Sequence, residues 1–206
     1  MEISLIISTF NRKDLLLPLL YILEKQSLKN FEVIVTDDGS TDGTPGEVKK
    51  IMNKLSYDLQ TVSQGNIGFR VASSRNNGAR AARTRQLVFM DDDCRPDEIF
   101  LESYHRAFSE NHLLRGDILF VSSFEELEHV LFIHPGSPET GLWGANFSLA
   151  AELFWRVGAY EESFINRSGE DSDLQLRLWH SGIDTIAVKG AHVYHLGRPT
   201  AGRNWF

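Results

Sequence analysis

The sequence predicts an α/β fold on a mostly parallel central sheet flanked by helices. Two observations predict it. Short continuous apolar runs, "ISLIIS" (3–8), "FEVIVTDD" (31–38) and "QLVFM" (86–90), read as strands buried on both faces. Strand and helix patterns alternate through roughly the first 120 residues, which implies right-handed crossovers between parallel strands.

The elements follow in order. After the first strand, Leu15, Leu16, Leu19, Leu20 and Leu23 recur at helical spacing, with Pro18 predicting a kink or a start there. "TPGE" at Thr44–Glu47 matches a capping box with proline at the first helical position. "LQTVS" (59–63) is a short strand, and alanine-rich Val71 to Arg83 is helical. "QLVFM" delivers Asp91, Asp92 and Asp93 at its end. Pro96 is expected to open a helix holding Phe100, Leu101, Tyr104 and Phe108. "DILFVSS" (117–123) is a fifth strand, and His134 to Gly144, rich in Gly and Pro, is a loop. Glu152 to Val157 and Asp171 to His180 are helices, and "DTIAVKG" (184–190) is a late strand.

Composition bounds the function. At 206 residues the chain suits one domain, and 42% hydrophobic with 24% charged residues is ordinary for a soluble globular protein. A net charge of −7 argues against nucleic-acid binding, which needs a basic patch. The single cysteine, Cys94, allows no intrachain disulfide and fits a reducing compartment. No apolar run approaches the roughly 20 residues of a membrane span. Met1-Glu2-Ile3 leads straight into a strand without a signal-peptide pattern. The expectation is a cytoplasmic protein, with peripheral attachment to the inner face of a membrane compatible with it.

"VFMDDDCRPDE" (88–98) puts three carboxylates in a row, a repulsive arrangement unless something compensates. In open α/β sheets ligands bind beyond the carboxyl ends of the strands, where this cluster and Asp37-Asp38 fall. Alternate side chains of an extended turn share a side, so Asp91 and Asp93 can face one site. Carboxylate oxygens suit Mg²⁺ or Mn²⁺, which would cancel the repulsion. The alternative is a solvated acidic loop.

Other segments join it. In "TDDGSTDGT" (36–44), Asp38 can accept from the edge N–H of a base, or serve an Asx-type turn. Arg70 and Arg75, near the Gly68 turn, are candidates for a diphosphate because the guanidinium forks onto it. "GEDSDLQLRLWHSG" (169–182) starts a helix with Glu170 and Asp171. That position favours an ionised carboxylate, and an N-cap role for Asp171 is the alternative. "WGANFSL" (143–149) offers Trp143 and Asn146 to a sugar, or a core tryptophan. In "AHVYHLG", His192 or His195 can ligate a metal. If extended, the two point to opposite faces.

These segments, with "ISLIISTFNR" and "QGNIGFRVASSRNNGARAAR", in this order resemble the family 2 glycosyltransferases of the GT-A fold. "WGANFSL" through "GEDSDL" also resembles the C-terminal part of galactosyltransferase-like enzymes. The resemblance spans nearly the whole chain. It implies one domain over 1–206, with a nucleotide-binding half (1–120) and an acceptor and catalytic half (121–206). It implies a nucleoside-diphosphate sugar donor, Mn²⁺ or Mg²⁺, and inversion at the anomeric carbon. By matching position, Thr9 and Asp38 would contact the base, Arg75 the nucleotide or diphosphate, and Asp91 the ribose. Asp93 would bind the metal with His192 or His195. Asp171 would be the catalytic base, Glu170 a supporting or acceptor-binding group, and Trp143 and Asn146 would border the sugars. A UDP-sugar is favoured, because one Asp suffices to read a pyrimidine edge. The acceptor would be a glycan or lipid-linked glycan in polysaccharide biosynthesis. The chain ends soon after His195, so a C-terminal segment that often covers this site in the family is expected to be missing.

Two rival classes stand beside this reading. A Mg²⁺-dependent nucleotidyltransferase would use the Asp trio but give "GED" no task. A non-catalytic sugar-nucleotide or glycan-binding module would keep Asp38 and Arg75 without needing Asp171. P-loop and dinucleotide-binding fingerprints are missing from the sequence.

Overall fold

The computed structural model describes residues 1–165 and 169–197. In chain order the elements are β1 (Ile3–Thr9), α1 (Lys13–Ile22), β2 (Phe31–Asp37), α2 (Thr44–Ile51), β3 (Asp58–Ser63), α3 (Val71–Ala81) and β4 (Gln86–Asp91). Then come β5 (Cys94–Pro96), α4 (Phe100–Ala107), β6 (His112–Arg115), β7 (Ile118–Val121), β8 (Val130–His134) and β9 (Asn146–Ala150). The chain continues through α5 (Ala151–Arg156), α6 (Glu170–His180), β10 (Asp184–Ala187) and β11 (Val193–Leu196).

Seven strands form the main sheet in the order β10-β6-β9-β4-β1-β2-β3. All its pairings are parallel except those of β9, which runs antiparallel to both β4 and β6. A smaller sheet, β5-β11-β7-β8, stands beside it. Thus "DILFVSS" is a strand of the second sheet rather than the fifth strand of the first. The main sheet also draws β9 and β10 from beyond residue 120, so it is not divided there.

Period-2 alternation builds a core on each face of the sheet. On β1, Ile3, Leu5 and Ile7 pack with Leu16, Leu19, Leu20, Val48 and Phe100, from α1, α2 and α4. Ile6 points the other way and packs with Ala72, Ala79, Phe154 and Leu174, from α3, α5 and α6. Each fully buried leucine contributes about 1.5–3 kcal/mol. Helix α3 lies close against the strands. A side chain at Gly78 would collide with Thr36 and Ile6, which fixes glycine there.

Three local expectations change. Helix α1 runs through Pro18 from Lys13, so the proline neither starts nor ends it. At α2 the capping box does not form. Asp42 Oδ1 takes both the N–H and the hydroxyl of Thr44, and Glu47 pairs with Lys50 instead. Pro96 ends β5, held antiparallel to β11, and α4 starts only at Phe100. Pairing with a strand far along the chain overrides the local proline signal.

Candidate active site

The carboxyl ends of β1, β2 and β4 open onto a cleft of about 340 Å³ lined by Thr9, Phe10, Arg12, Asp38, Phe69 and Asp91, among others. Strand register puts the polar groups there. Ser8 pairs with Asp91, and Thr9 with Asp37, so each strand turns from apolar to polar at the same level. Asp38 is buried at this rim. Its two oxygens accept from Gln64 Nε2 (2.6 Å) and the Arg70 N–H (2.8 Å).

The three adjacent carboxylates have three different environments. Asp91 Oδ1 accepts from Arg75 Nη2 (2.9 Å) and Ser8 Oγ (3.1 Å). Burial pushes its carboxyl up, but the Arg75 charge, helped by His195, outweighs it and holds Asp91 below its ordinary range. Asp92 is buried, accepting from Thr9 Oγ1 (2.6 Å) and Arg12 Nη1 (3.1 Å). Burial, with the Asp93 charge adding to it and the Thr9 bond opposing, pushes Asp92 up to about 7. The repulsion is therefore relieved by the Arg75 cation at Asp91, by Arg12 between Asp92 and Asp93, and by burial that favours the neutral form of Asp92. Asp93 keeps one oxygen on Arg12 (2.6 Å). Its Oδ1 is buried without a hydrogen-bond partner and stands 3.3 Å from His195 Nε2.

That orphaned oxygen is where a cation fits. Asp93, His195 and Cys94 bring ligand atoms within 4.8 Å of one another. A carboxylate oxygen and an imidazole nitrogen suit Mn²⁺ or Mg²⁺. Cys94 is the poorer match in this group, because a soft sulfur suits Mn²⁺ or Mg²⁺ less well than oxygen does. His192 does not join the group. It lies before β11, with Nε2 3.5 Å from Asp97. Of the two histidines, His195 falls in the group with Asp93, and His192 does not.

Arg75 is buried, and its fork is fully engaged. Besides Asp91 it donates to Glu170 (3.3 Å) and Asp171 (3.2 Å), and its guanidinium lies 5.3 Å from the Tyr160 ring centre. Arg75 thus gathers the carboxylates of β4 and α6 while it also lines the cleft. Gly144 packs so close to it that a side chain there would strike Arg75. Arg70 contributes its backbone N–H to Asp38.

Asp171 is not an N-cap; Gly169 takes that position with φ 110°. The Asp171 Oδ1 accepts from Arg75 and Tyr160 Oη (2.9 Å), and Oδ2 from the Gly144 N–H (2.8 Å). A lowered pKa was expected from the helix terminus. Burial instead raises it, against the lowering by Arg75, Gly144 and Tyr160. Glu170 is buried and raised for the same reason, with the Asp171 charge adding to it. Trp143, half-buried, precedes Gly144 and stacks on His134 at 4.9 Å. Asn146 does not reach the cleft. It is buried on β9, accepts from Tyr104 Oη (2.6 Å), and spends both amide hydrogens on Asp117 O and Ala191 O. No donor is left for a sugar.

Two groups were not anticipated. Arg12, from "FNR", bridges Asp92 and Asp93 while its side chain stays half-exposed in the cleft. A basic residue just after the first strand was the available signal. Tyr160 is buried under Arg75 and held by Asn76, which bonds both its backbone N–H (3.0 Å) and C=O (2.8 Å). Nothing local in "GAYEES" announces it. Replacing Tyr160 with phenylalanine removes a donor that favours ionised Asp171, so the Asp171 pKa should rise further. If Asp171 acts as a base, the acid limb of kcat/KM should move to higher pH, with activity recovering on the alkaline side. An unmoved limb would refute that role for Tyr160.

Residues 4–128, more than half of the chain, match the profile of glycosyl transferase family 2. Residues 129–199 match a profile described as the N-terminal domain of galactosyltransferase. Validoxylamine A glucosyltransferase from Streptomyces hygroscopicus subsp. jinggangensis is 32% identical over 88% of this chain and 52% of its own length. Chondroitin synthase from Escherichia coli is 24% identical over 96% of this chain and 35% of its own. Among solved structures, TarS 1-349 of S. aureus in complex with UDP-GlcNAc has a TM-score of 0.76 at 21% identity, covering 96% of this chain and 59% of that one. The mannosyltransferase PcManGT from Pyrobaculum calidifontis, in complex with GDP-Man and Mn²⁺, has a TM-score of 0.72 at 20% identity, covering 97% and 58%. The fold is that of the GT-A glycosyltransferases. The chain belongs to glycosyl transferase family 2. It spans about half the length of the validoxylamine glucosyltransferase and about a third of the chondroitin synthase. Among the described residues, no helix is long and apolar enough to cross a membrane.

Proposed function

We propose that the chain is an inverting, metal-dependent glycosyltransferase that moves a sugar from a nucleoside-diphosphate donor, a UDP-sugar first, to an acceptor hydroxyl in glycan or polysaccharide assembly. The observation that carries it is the pairing of an orphaned carboxylate oxygen, Asp93 Oδ1 beside His195, with a half-open carboxylate, Asp171. Both are tied to one frame, since Arg75 holds Asp171 and the strand end at Asp91 that leads to Asp93. Family membership and the nucleotide-sugar complexes of the structural neighbours support the donor class.

The cleft suits a nucleotide. Phe10 and Phe69 offer aromatic faces to a base, and Asp38 lines the same cleft. Asp93 and His195 would hold a divalent cation, which when bound would offset charge on the diphosphate. Asp171 accepts the proton of the acceptor hydroxyl as that oxygen bonds to the anomeric carbon. The bond from that carbon to the phosphate oxygen breaks, and its electron pair leaves with the nucleoside diphosphate. One displacement inverts the centre and needs one carboxylate base.

Calorimetric titration with UDP, GDP, dTDP and CDP, with and without Mn²⁺, tests the donor site. One nucleotide should bind with Mn²⁺ and lose most of its affinity without it. Asp93→Ala should abolish that metal dependence. Nucleotide binding by the variant that keeps the wild-type affinity and the wild-type dependence on Mn²⁺ would refute the ligand role of Asp93.

A further inference from the structure

The smaller sheet carries a row of side chains at one register level. Cys94, His195, Phe120 and Phe132 face one another across β5, β11, β7 and β8. Residues paired laterally point to the same face, so the row runs along one side of the sheet. Phe120 lies 4.9 Å from the His195 ring and 5.9 Å from Phe132, centre to centre. Trp143 stands edge-on to Phe120 at 5.3 Å. Exposure rises along the row. Cys94 is buried, His195 and Phe120 are half-buried, and Phe132 is 59% exposed. The strip begins between the candidate cation ligand His195 and the Trp143-Gly144 corner that holds Asp171, and it opens to solvent at β8.

We infer that this strip is the acceptor subsite, and that its ligand is an uncharged pyranose chain lying on Phe120 and Phe132. The inference rests on the glycosyl-transfer reading and names the acceptor class for it. A pyranose has an apolar C–H face and a rim of hydroxyls. Aromatic faces take the first and leave the second to water. The strip is continuous with the groups that would handle donor and proton, so a chain seated on it presents its terminal hydroxyl towards Asp171. An anionic membrane is a poorer match for this edge. The turn leading into β8 exposes Glu125, Glu126 and Glu128, which repel acidic headgroups.

The test uses the full chain with UDP and Mn²⁺, titrated calorimetrically with cellotetraose, maltotetraose and chitotetraose. At least one tetrasaccharide should bind. Phe132→Ala, at an exposed position that tolerates truncation, should weaken it about tenfold. Phe132→Trp should restore it, and UDP affinity should be the same in all three proteins. UDP binding without any tetrasaccharide binding overturns the subsite and leaves the donor site standing. Tetrasaccharide binding that Phe132→Ala does not weaken also overturns it. Tetrasaccharide binding that Phe132→Ala weakens, in a protein that binds no UDP, upholds the subsite and removes the donor reading. Sedimentation that shows a dimer made monomeric by Phe132→Ala assigns the strip to a second copy of the chain. Binding to vesicles of phosphatidylglycerol, lost in that variant, assigns it to a membrane; either result overturns the proposal.

Discussion

Asp171→Asn is expected to lower sugar transfer by about 10²–10⁴-fold, the range for a lost general base. The shape of the side chain is kept, and Asp171 is not among the residues that line the cleft at the ends of β1, β2 and β4, so UDP affinity should barely change. The amide does cost one contact. Both Asp171 oxygens accept, from Arg75 and Tyr160 on one side and from the Gly144 N–H on the other. An NH₂ group must then meet a donor, which costs about 1 kcal/mol of stability. The pH dependence gives a second check. Asp171 sits above its ordinary range because burial disfavours its charge. A base works ionised, so wild-type kcat/KM should fall as pH drops through a pKa higher than that of a free aspartate. The asparagine variant should lose that limb. Transfer retained at the wild-type rate would remove Asp171 from the mechanism.

Arg75→Met should be the most destabilising of these substitutions. It leaves Asp91, Glu170 and Asp171 clustered without their common cation. Removing one partner of a buried ion pair costs about 3–5 kcal/mol. For a chain of this size that is a drop of about 10 °C in Tm. The sign with pH is fixed. Without the cation, the folded-state pKa values of these carboxyls rise above their unfolded values. Their contribution is then least unfavourable below the unfolded pKa, where both states are protonated, and worsens as pH rises through the folded pKa. The Tm gap from wild type should therefore narrow as pH falls from about 7 to about 5. A gap that widens on acidification, or a Tm equal to wild type, would show that the hub is not electrostatic.

Much of the fold was legible because it is written locally. Runs such as "ISLIIS" and "QLVFM" read as strands buried on both faces by their length and apolar content, and the leucine spacing of α1 survives its proline. The second half was less legible because its strands are short and pair far along the chain. "NFSLA" is β9, in the middle of the main sheet, yet its sequence read as a sugar-binding segment. Asn146 went astray for that reason, since an amide facing Tyr104 and two carbonyls looks no different in sequence from one facing a ligand. Period-2 geometry separated His192 from His195 without saying which one mattered. The burial of Arg75 had no local signal, because the carboxylates that neutralise it come from other elements, Asp91 at the end of β4 and Glu170 and Asp171 some 95 residues on in α6.

The position of β9 also bears on how the chain is made. Strand β4 emerges from the ribosome well before β9, its antiparallel neighbour, and β6 waits for the same partner. Until residue 150 is available, the nascent sheet carries an unpaired edge at Gln86–Met90, a run buried on both faces in the finished protein. Such an edge recruits other strands, so this interval is when the chain is most exposed to aggregation. The antiparallel strand β9 thus closes the edge of β4 as well as completing the sheet.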